Sequence, residues 1–386
     1  MCFSANFITL TYGVVPGWLS PTLPLLRSNA TALGGHPVTQ EQECWLASLP
    51  FLGAFLFSAA YSYVNQNLGR KAAGYLSALP AITAYMLIIF GDSIIYLLIA
   101  RFIFGLCIAG VNIFTATYVS EISEDSIRGA LGNFRGIAAG VGTITIHAVG
   151  SYFSVQNTGM VCLSNPVLFL FGYFWPPESP VFSLGKGRRA KALQAYSWLR
   201  GDTALAEAEM KKLEAVVNVN TTETQKVSVL DLMSVRGTRK ALMIALVLSV
   251  VQQFSGMNVV YGHCKSIFEM SQSNLSPHIS YIISGFVNLS GSLFSCFVSD
   301  LAGRRPILCT QIFQGVCLVG LGTYLFTDSV GIDVSAVSVT PILCVSLYSF
   351  CVIAGPANLL FVMMAEIFRP EARGLAMGLR VLRFGC

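Results

Sequence analysis

Three amide side chains stand within one long apolar stretch, residues 240–263, at Gln252, Gln253 and Asn258. An amide donates and accepts hydrogen bonds without charge, and in an apolar environment it needs a neighbour, water or a ligand as partner. A straight helix turns about 100° per residue and would spread the three amides over different faces. A shared site therefore requires local unwinding, for which Gly256 is the candidate. The pattern predicts either a ligand site or polar contacts between helices.

Two charged motifs occur twice in the chain, in the same order. The glycines of the first motif, Gly69 and Gly303, are 234 residues apart, and the glutamates of the second, Glu121 and Glu366, are 245 residues apart. The charged members of both motifs are Arg70, Glu121, Arg128, Asp300, Arg304, Arg305, Glu366 and Arg373. Snorkelling to lipid headgroups would explain the arginines alone. Glutamates at a fixed spacing in both halves favour charge pairs between helices and an internal repeat of parallel halves.

Two ionisable side chains lie inside another apolar stretch, residues 130–153. A charge within a membrane span costs about 3 kcal/mol unless it meets a cavity or a partner, so Arg135 is a candidate functional residue. Because Arg135 follows Arg128 by seven residues, snorkelling to the nearby membrane surface is the alternative. His147 stands alone in the same stretch and is interpreted as a packed residue rather than a catalytic one.

The composition is that of a membrane protein. Of 386 residues, 54% are hydrophobic and 11% are charged, against roughly 25% charged in soluble domains. The net charge of +5 is spread too thinly to indicate nucleic-acid binding. The eleven cysteines form no CxxC pair, so neither a metal nor a redox cofactor is expected. No cluster of nucleophile and base and no phosphate-binding loop is present, so the chain is not predicted to be an enzyme.

Apolar runs long enough to cross the bilayer, about 20 residues for a core of about 30 Å, define ten predicted spans. In chain order, spans one to ten are residues 3–26, 45–63, 72–90, 93–118, 130–153, 158–175, 240–263, 278–299, 306–327 and 337–364. The predicted domains are an N-terminal six-helix bundle at 1–175, a polar cytoplasmic helical linker at 176–237, and an incomplete C-terminal bundle of about four spans at 238–386.

Lysine and arginine mark the predicted orientation. They collect in one alternating set of connections and in the linker, which places those connections and the N-terminus in the cytoplasm. Two glycosylation sequons begin at Asn29 and Asn274 on the opposite face, where modification is expected.

Further motifs occur together with these. They are Arg101-x-x-x-Gly105, Pro177-Glu178-Ser179-Pro180, Gln252 to Asn258, and Gly355-Pro356. With the repeated charges, this set of motifs resembles the sugar porters of the major facilitator superfamily over nearly the whole chain. Residues 17–21 and 191–201 look most like the insect facilitated trehalose transporter group.

The resemblance implies an all-α membrane protein with the major facilitator fold, two pseudo-symmetric helical bundles, and about ten of the family's twelve spans. It implies that Gln252, Gln253, Asn258 and Asn288 contact sugar, with Phe361 in place of a sugar-stacking tryptophan. It also implies that the repeated charges latch the cytoplasmic side. The expected setting is the cell membrane, with a small sugar and the lipid bilayer as partners.

Three functions remain open at this stage. A facilitative transporter of a sugar such as trehalose or glucose, a non-transporting sugar sensor, and an inactive truncated product all fit the motifs. Proton coupling needs a titratable carrier, usually a membrane carboxylate. The symporters that the chain resembles place an aspartate in span one, whereas residues 1–26 contain no acidic residue and the ten predicted spans enclose none. Uniport by alternating access is therefore predicted for a transporting form.

Overall fold

The apolar runs fold as helices, because a backbone surrounded by lipid must satisfy its own hydrogen bonds. The computed structural model describes residues 2–28, 37–123, 128–222, 236–270, 276–301, 305–332 and 337–357, and every regular element in these ranges is helical. The N-terminal bundle contains Cys2–Gly17, Leu19–Arg27, Gln40–Asn67, Arg70–Phe90, Ile94–Ile122, Arg128–Tyr152 and Val155–Gly172. The linker contains Pro180–Gly185, Arg189–Arg200 and Thr203–Thr222. The C-terminal bundle contains Arg236–Phe254, Met257–Met270, Pro277–Leu301, Arg305–Ser329 and Thr340–Val352, which a π-helical turn continues over Ile353–Ala357.

Two predicted spans are broken in the structure. Span one divides at Trp18 and span seven divides at Ser255 and Gly256. Hydropathy alone does not register a break whose residues remain apolar or small. Within the described residues, five helices are both long and apolar enough to cross a membrane unaided, and they form spans two, three, four, eight and nine.

The described helices also extend beyond some predicted spans. Span two begins at Gln40, so the helix includes Glu43, and span four continues to Ile122, so the helix includes Glu121. The predicted spans themselves enclose no carboxylate, but the described helices that extend them do, since these helices also include Glu41, Glu269, Asp300 and Asp328. Glu43 and Glu121 each accept hydrogen bonds from an arginine, which allows the helix to continue through a charged residue.

Span four is the centre of the N-terminal bundle. It packs on spans two and three, and its glycine Gly105 lies against Gly53 of span two. A Cβ atom at Gly105 would lie 2.7 Å from the Gly53 Cα atom, so this close approach needs glycine on both helices. Tyr85 and Phe104 continue the core with their rings edge to face.

The two bundles meet along spans one and five of the first and spans seven and eight of the second. Away from this contact, the linker has an apolar core of its own, made by Ala192, Tyr196, Ala206 and Met210. This arrangement leaves these four central spans to form most of any site between the bundles. The domain boundaries at residues 175 and 237 remain predictions.

Candidate substrate cavity and charge network

A hydroxyl group of a neighbouring span stabilises the break in span seven. Gly256 adopts a φ of 79°, a left-handed conformation that favours glycine, and thereby ends one helix and lets the next begin. The Tyr348 hydroxyl of span ten donates to the backbone carbonyl of Ser255 at 2.8 Å. The unwinding predicted at Gly256 is present, and a hydrogen bond from span ten holds it.

A cavity of about 80 Å³ lies where the two bundles meet. Spans one, five, seven, eight and ten line it through Tyr12, Gly13, Pro16, Gly17, Arg135, Gly136, Ala139, Gly140, Thr143, Gln252, Met257, Tyr261, Asn288, Ile353 and Ala357. Its polar groups are amides, hydroxyls and one guanidinium. The Asn288 side-chain nitrogen donates to the Tyr261 hydroxyl at 2.6 Å, which fixes the orientation of both groups.

The predicted sugar contacts divide into three groups. Gln252 and Asn288 line the cavity. Gln253 and Asn258 are half-buried and are not among the residues that line it, because they lie on other faces of the broken span. Phe361 lies outside the described residues. Sugar contact by each of these residues remains a prediction.

Arg135 lies on the wall of the cavity. Its Nη2 atom donates to the Asn112 side-chain oxygen at 2.8 Å, and the Asn112 nitrogen donates in turn to the carbonyl of Ile108. The guanidinium carbon lies 5.4 Å from the centre of the Tyr12 ring, within the range of a cation–π contact. The snorkelling interpretation is therefore wrong for this conformation, since Asn112 and Tyr12 direct the charge inward.

Neutral contacts join the two bundles at the end that carries Lys265, called here the Lys265 end. The His147 ring stacks on the Tyr281 ring with centroids 3.7 Å apart, and His147 Nδ1 lies 2.8 Å from the Tyr281 carbonyl oxygen. The Tyr281 hydroxyl donates to the carbonyl of Gly17 at 3.0 Å, and the backbone N–H of Lys265 donates to the Ser20 hydroxyl at 2.9 Å. These contacts cross from spans one and five to spans seven and eight, so the described conformation is closed at this end.

An ion pair marks the opposite end, called here the Arg70 end. The Arg70 guanidinium donates two hydrogen bonds to the Glu121 carboxylate, at 2.9 and 2.6 Å, and a third to the carbonyl of Asn65. The Glu178 carboxylate accepts from the backbone N–H groups of Arg70 and Lys71, at 2.9 and 3.1 Å. It therefore caps the first turn of span three, where unpaired N–H groups favour an anion.

The other side chains of the predicted charge network lie outside the part of the chain that the structure describes. Arg304, Glu366 and Arg373 lie outside the described residues, as do the sequons at Asn29 and Asn274. Arg128, Asp300 and Arg305 belong to described helices, but their side chains lie outside the described part. The roles of these residues remain predictions.

Another arginine, Arg101, is buried and is bound by backbone carbonyls. Pro50 has no N–H, so the Leu46 carbonyl of span two lacks its helical donor, and Arg101 Nε donates to it at 2.8 Å. Arg101 Nη1 donates to the Val15 carbonyl at 2.7 Å, and the guanidinium carbon lies 5.5 Å from the Trp18 ring centre. Arg101 thus connects spans two and four to the break in span one.

Several residues of the site were not predicted from the sequence. Tyr12, Tyr261 and Asn112 are polar residues among apolar neighbours, which is a weak signal by itself. Glu178 belongs to the Pro-Glu-Ser-Pro motif, which the sequence analysis used only as a family mark. Its position directly after span six was the available sign of a helix-capping carboxylate.

The helices and the central cavity define a multi-pass membrane transporter fold, and solved structures share it. The proton:xylose symporter XylE of the major facilitator superfamily, bound to 6-bromo-6-deoxy-D-glucose, matches with a TM-score of 0.77 at 19% identity, over 99% of this chain and 84% of that one. A partially occluded inward open conformation of the xylose transporter XylE from E. coli gives a TM-score of 0.77 at 18% identity, over 100% of this chain and 89% of that one. The predicted all-α major facilitator fold is confirmed.

The profile of the family described as "Sugar (and other) transporter" matches residues 1–382, and the chain belongs to that family. The facilitated trehalose transporter Tret1 of Polypedilum vanderplanki is 27% identical over 369 residues, which are 95% of this chain and 73% of that protein. Tret1 of Drosophila willistoni is 29% identical over 377 residues, which are 97% of this chain and 43% of that protein. The predicted family is confirmed, and its members are transporters rather than enzymes.

Proposed function

We propose that this protein carries a sugar such as trehalose or glucose across the cell membrane by alternating access, as a uniporter. The observation that carries the proposal is the cavity between the bundles, where Gln252, Asn288 and Tyr261 stand opposite Thr143 and Arg135. Neutral donors and acceptors match sugar hydroxyls without the desolvation cost of burying an unpaired charge. The Tret1 relatives, named as trehalose transporters, favour the same class of substrate.

The size of the cavity favours alternation. Its volume of about 80 Å³ is far below the roughly 300–1,000 Å³ of ligand sites, so a sugar enters only when the bundles move apart. The neutral contacts at the Lys265 end can part without leaving a bare charge in the membrane. Rigid-body rocking of one bundle against the other would then expose the cavity to one side at a time. With the linker and the N-terminus in the cytoplasm, as predicted, the next motion would open the Lys265 end to the outside.

The residues that line the cavity favour uniport. No aspartate or glutamate is among the described lining residues, and Arg101 binds the backbone carbonyls of Val15 and Leu46. The described residues that line the cavity thus offer no carboxylate as a proton carrier, which leaves the nearby His147 as the titratable group to test. The test uses proteoliposomes that contain the purified chain and a pH-sensitive dye, with a sugar gradient imposed at equal pH. Saturable sugar flux without a pH change is expected. Sugar-driven acidification that disappears in His147→Ala would overturn uniport.

The sugar site is tested by one substitution on the cavity and one away from it. Gln252→Ala removes an amide from the wall and is expected to raise the KM for sugar uptake roughly tenfold, since one or two hydrogen bonds to the ligand are lost. Gln314→Ala is the matched control, because Gln314 is an equally buried amide in span nine that does not line the cavity. Equal increases in KM for the two variants would contradict the proposal that the cavity binds the sugar. Gln253→Ala and Asn258→Ala test the two predicted sugar contacts that lie off the wall.

A further inference from the structure

A second concave site lies outside the bundles, between the end of span six and the linker. This linker groove has a volume of about 460 Å³. Its lining residues are Leu68, Trp175, Pro177, Glu178, Phe182, Ser183, Arg188, Lys191, Gln194, Ala195 and Trp198. It shares no lining residue with the central cavity, so it has no part in the proposed transport path.

The two basic residues of the groove, Arg188 and Lys191, lack the ion pairs that nearby arginines of the linker form. Arg189 and Arg200 each form an ion pair, with Glu214 at 2.6 Å and with Glu209 at 2.9 Å. Arg188 and Lys191 are exposed, and no carboxylate of the described residues pairs with either. The one acid in the groove, Glu178, already accepts from the backbone N–H groups that begin span three. The groove therefore presents two positive charges without a counter-ion in the described part.

Large aromatic side chains place the groove at the membrane surface. Trp175 is 70% exposed and Trp198 is 52% exposed, whereas tryptophan side chains of water-soluble proteins are on average highly buried. Phe171 and Phe174, equally exposed, continue this aromatic strip from span six toward the groove. Exposed tryptophans at the end of a span are typical of the boundary between lipid tails and headgroups. One side of the groove thus faces lipid and the other carries the two cations.

We propose that the linker groove binds the headgroup of an anionic phospholipid from the adjacent leaflet. Arg188 and Lys191 meet the phosphate, which carries the uncompensated negative charge of such a lipid, and Trp175 and Trp198 cover the glycerol and the upper acyl chains. Charge complementarity selects an anionic lipid over a zwitterionic one, and basic pockets next to membrane spans are suited to such headgroups. A bound lipid would connect the linker to the end of span six.

The test is native mass spectrometry of the delipidated full chain in detergent, titrated with phosphatidylglycerol or with phosphatidylcholine of the same acyl chains. We expect tighter binding of phosphatidylglycerol. Arg188→Gln combined with Lys191→Gln is expected to weaken this binding about tenfold or more, while phosphatidylcholine binding stays the same. Trp198→Ala is expected to weaken both lipids.

The matched control is Lys211→Gln combined with Lys212→Gln, which removes the same charge from exposed positions of the next linker helix, away from the groove. This control is expected to bind phosphatidylglycerol like the unchanged chain. Equal affinity for the two lipids, or equal losses in the two double variants, would overturn the proposal. Displacement of phosphatidylglycerol by millimolar inorganic phosphate would also overturn it, because the groove would then be a site for a soluble anion. Thermal unfolding of each variant verifies that it is folded.

Discussion

At the Arg70 end of the molecule the described contacts are ionic and stay within the N-terminal bundle. At the Lys265 end the ring stack and the hydrogen bonds that cross between the bundles are neutral, and the ion pair of Arg27 with Glu43 stays within the N-terminal bundle. Arg70, Glu121 and Glu178 join spans three and four to the start of the linker. His147 and Tyr281 join span five to span eight by stacking and by a hydrogen bond to a backbone carbonyl. The two ends thus use different chemistry for different tasks.

The difference concerns what can move. A half-buried ion pair with bidentate geometry is costly to separate, so the Arg70 cluster makes one bundle rigid. A stacked ring pair and single hydrogen bonds can separate and be hydrated at small cost, so the Lys265 end is suited to repeated opening. Alternating access needs both properties, a stiff body and a releasable contact between bodies.

The largest expected effect comes from breaking the ionic end. Arg70→Gln leaves the Glu121 carboxylate, only 15% exposed, without its bidentate partner, and is expected to lower the free energy of unfolding by about 3 kcal/mol. Chemical denaturation of the purified full chain measures the loss. Arg189→Gln is the matched control, because its pair with Glu214 is exposed to solvent and a much smaller loss is expected. Equal losses would contradict the view that Arg70 stiffens the bundle.

The next effect comes from forcing the neutral end apart. A Cβ atom at Gly285 would lie 2.9 Å from His147 Nδ1, so Gly285→Val is expected to oppose closure by about 1–3 kcal/mol. Hydrogen exchange of span eight around Tyr281 should then be several-fold faster. Gly322→Val is the control, since no other group lies within 4 Å of a Cβ atom at that glycine. If exchange near Tyr281 stays unchanged in Gly285→Val, the neutral contacts do not hold this end closed.

The smallest effect isolates a single hydrogen bond of the same end. Tyr281→Phe keeps the ring stacked on His147 but removes the hydroxyl that donates to the Gly17 carbonyl at 3.0 Å. A loss of about 1 kcal/mol is expected, seen as roughly fivefold faster hydrogen exchange in span eight around position 281. Tyr324→Phe serves as control, because the buried Tyr324 hydroxyl makes no hydrogen bond in the described part of the chain. Identical exchange in the two variants would remove this bond from the contacts that keep the end closed.

Some of these features were accessible from the sequence. The unwinding at Gly256 was predicted, because three amides in one apolar span could share a site only if the helix broke near a glycine. A bond from an arginine of a neighbouring span to Glu121 was also predicted, since both motifs recur in the second half, and the structure identifies that arginine as Arg70. Local chemistry and internal repetition can both be recognised in the sequence alone.

Other features depend on packing that no local pattern contains. Which of Gln252 and Gln253 faces the cavity depends on the rotation of the helix at the break, which the hydrogen bond from Tyr348 helps to set. The inward direction of Arg135 depends on Asn112 in the neighbouring span. Glu43 was placed outside span two because its partner Arg27 lies 16 residues earlier, in another helix.

Arg101 allows two membrane helices to be interrupted. A guanidinium without a counter-ion and a carbonyl without a donor are each unfavourable in lipid, but here they satisfy one another, at Leu46 and at Val15. The proline of span two and the discontinuity of span one are thereby tolerated only in the presence of one side chain on a third helix. The three places are therefore physically coupled, and losing Arg101 while Pro50 is kept would leave the Leu46 carbonyl unpaired within the hydrocarbon.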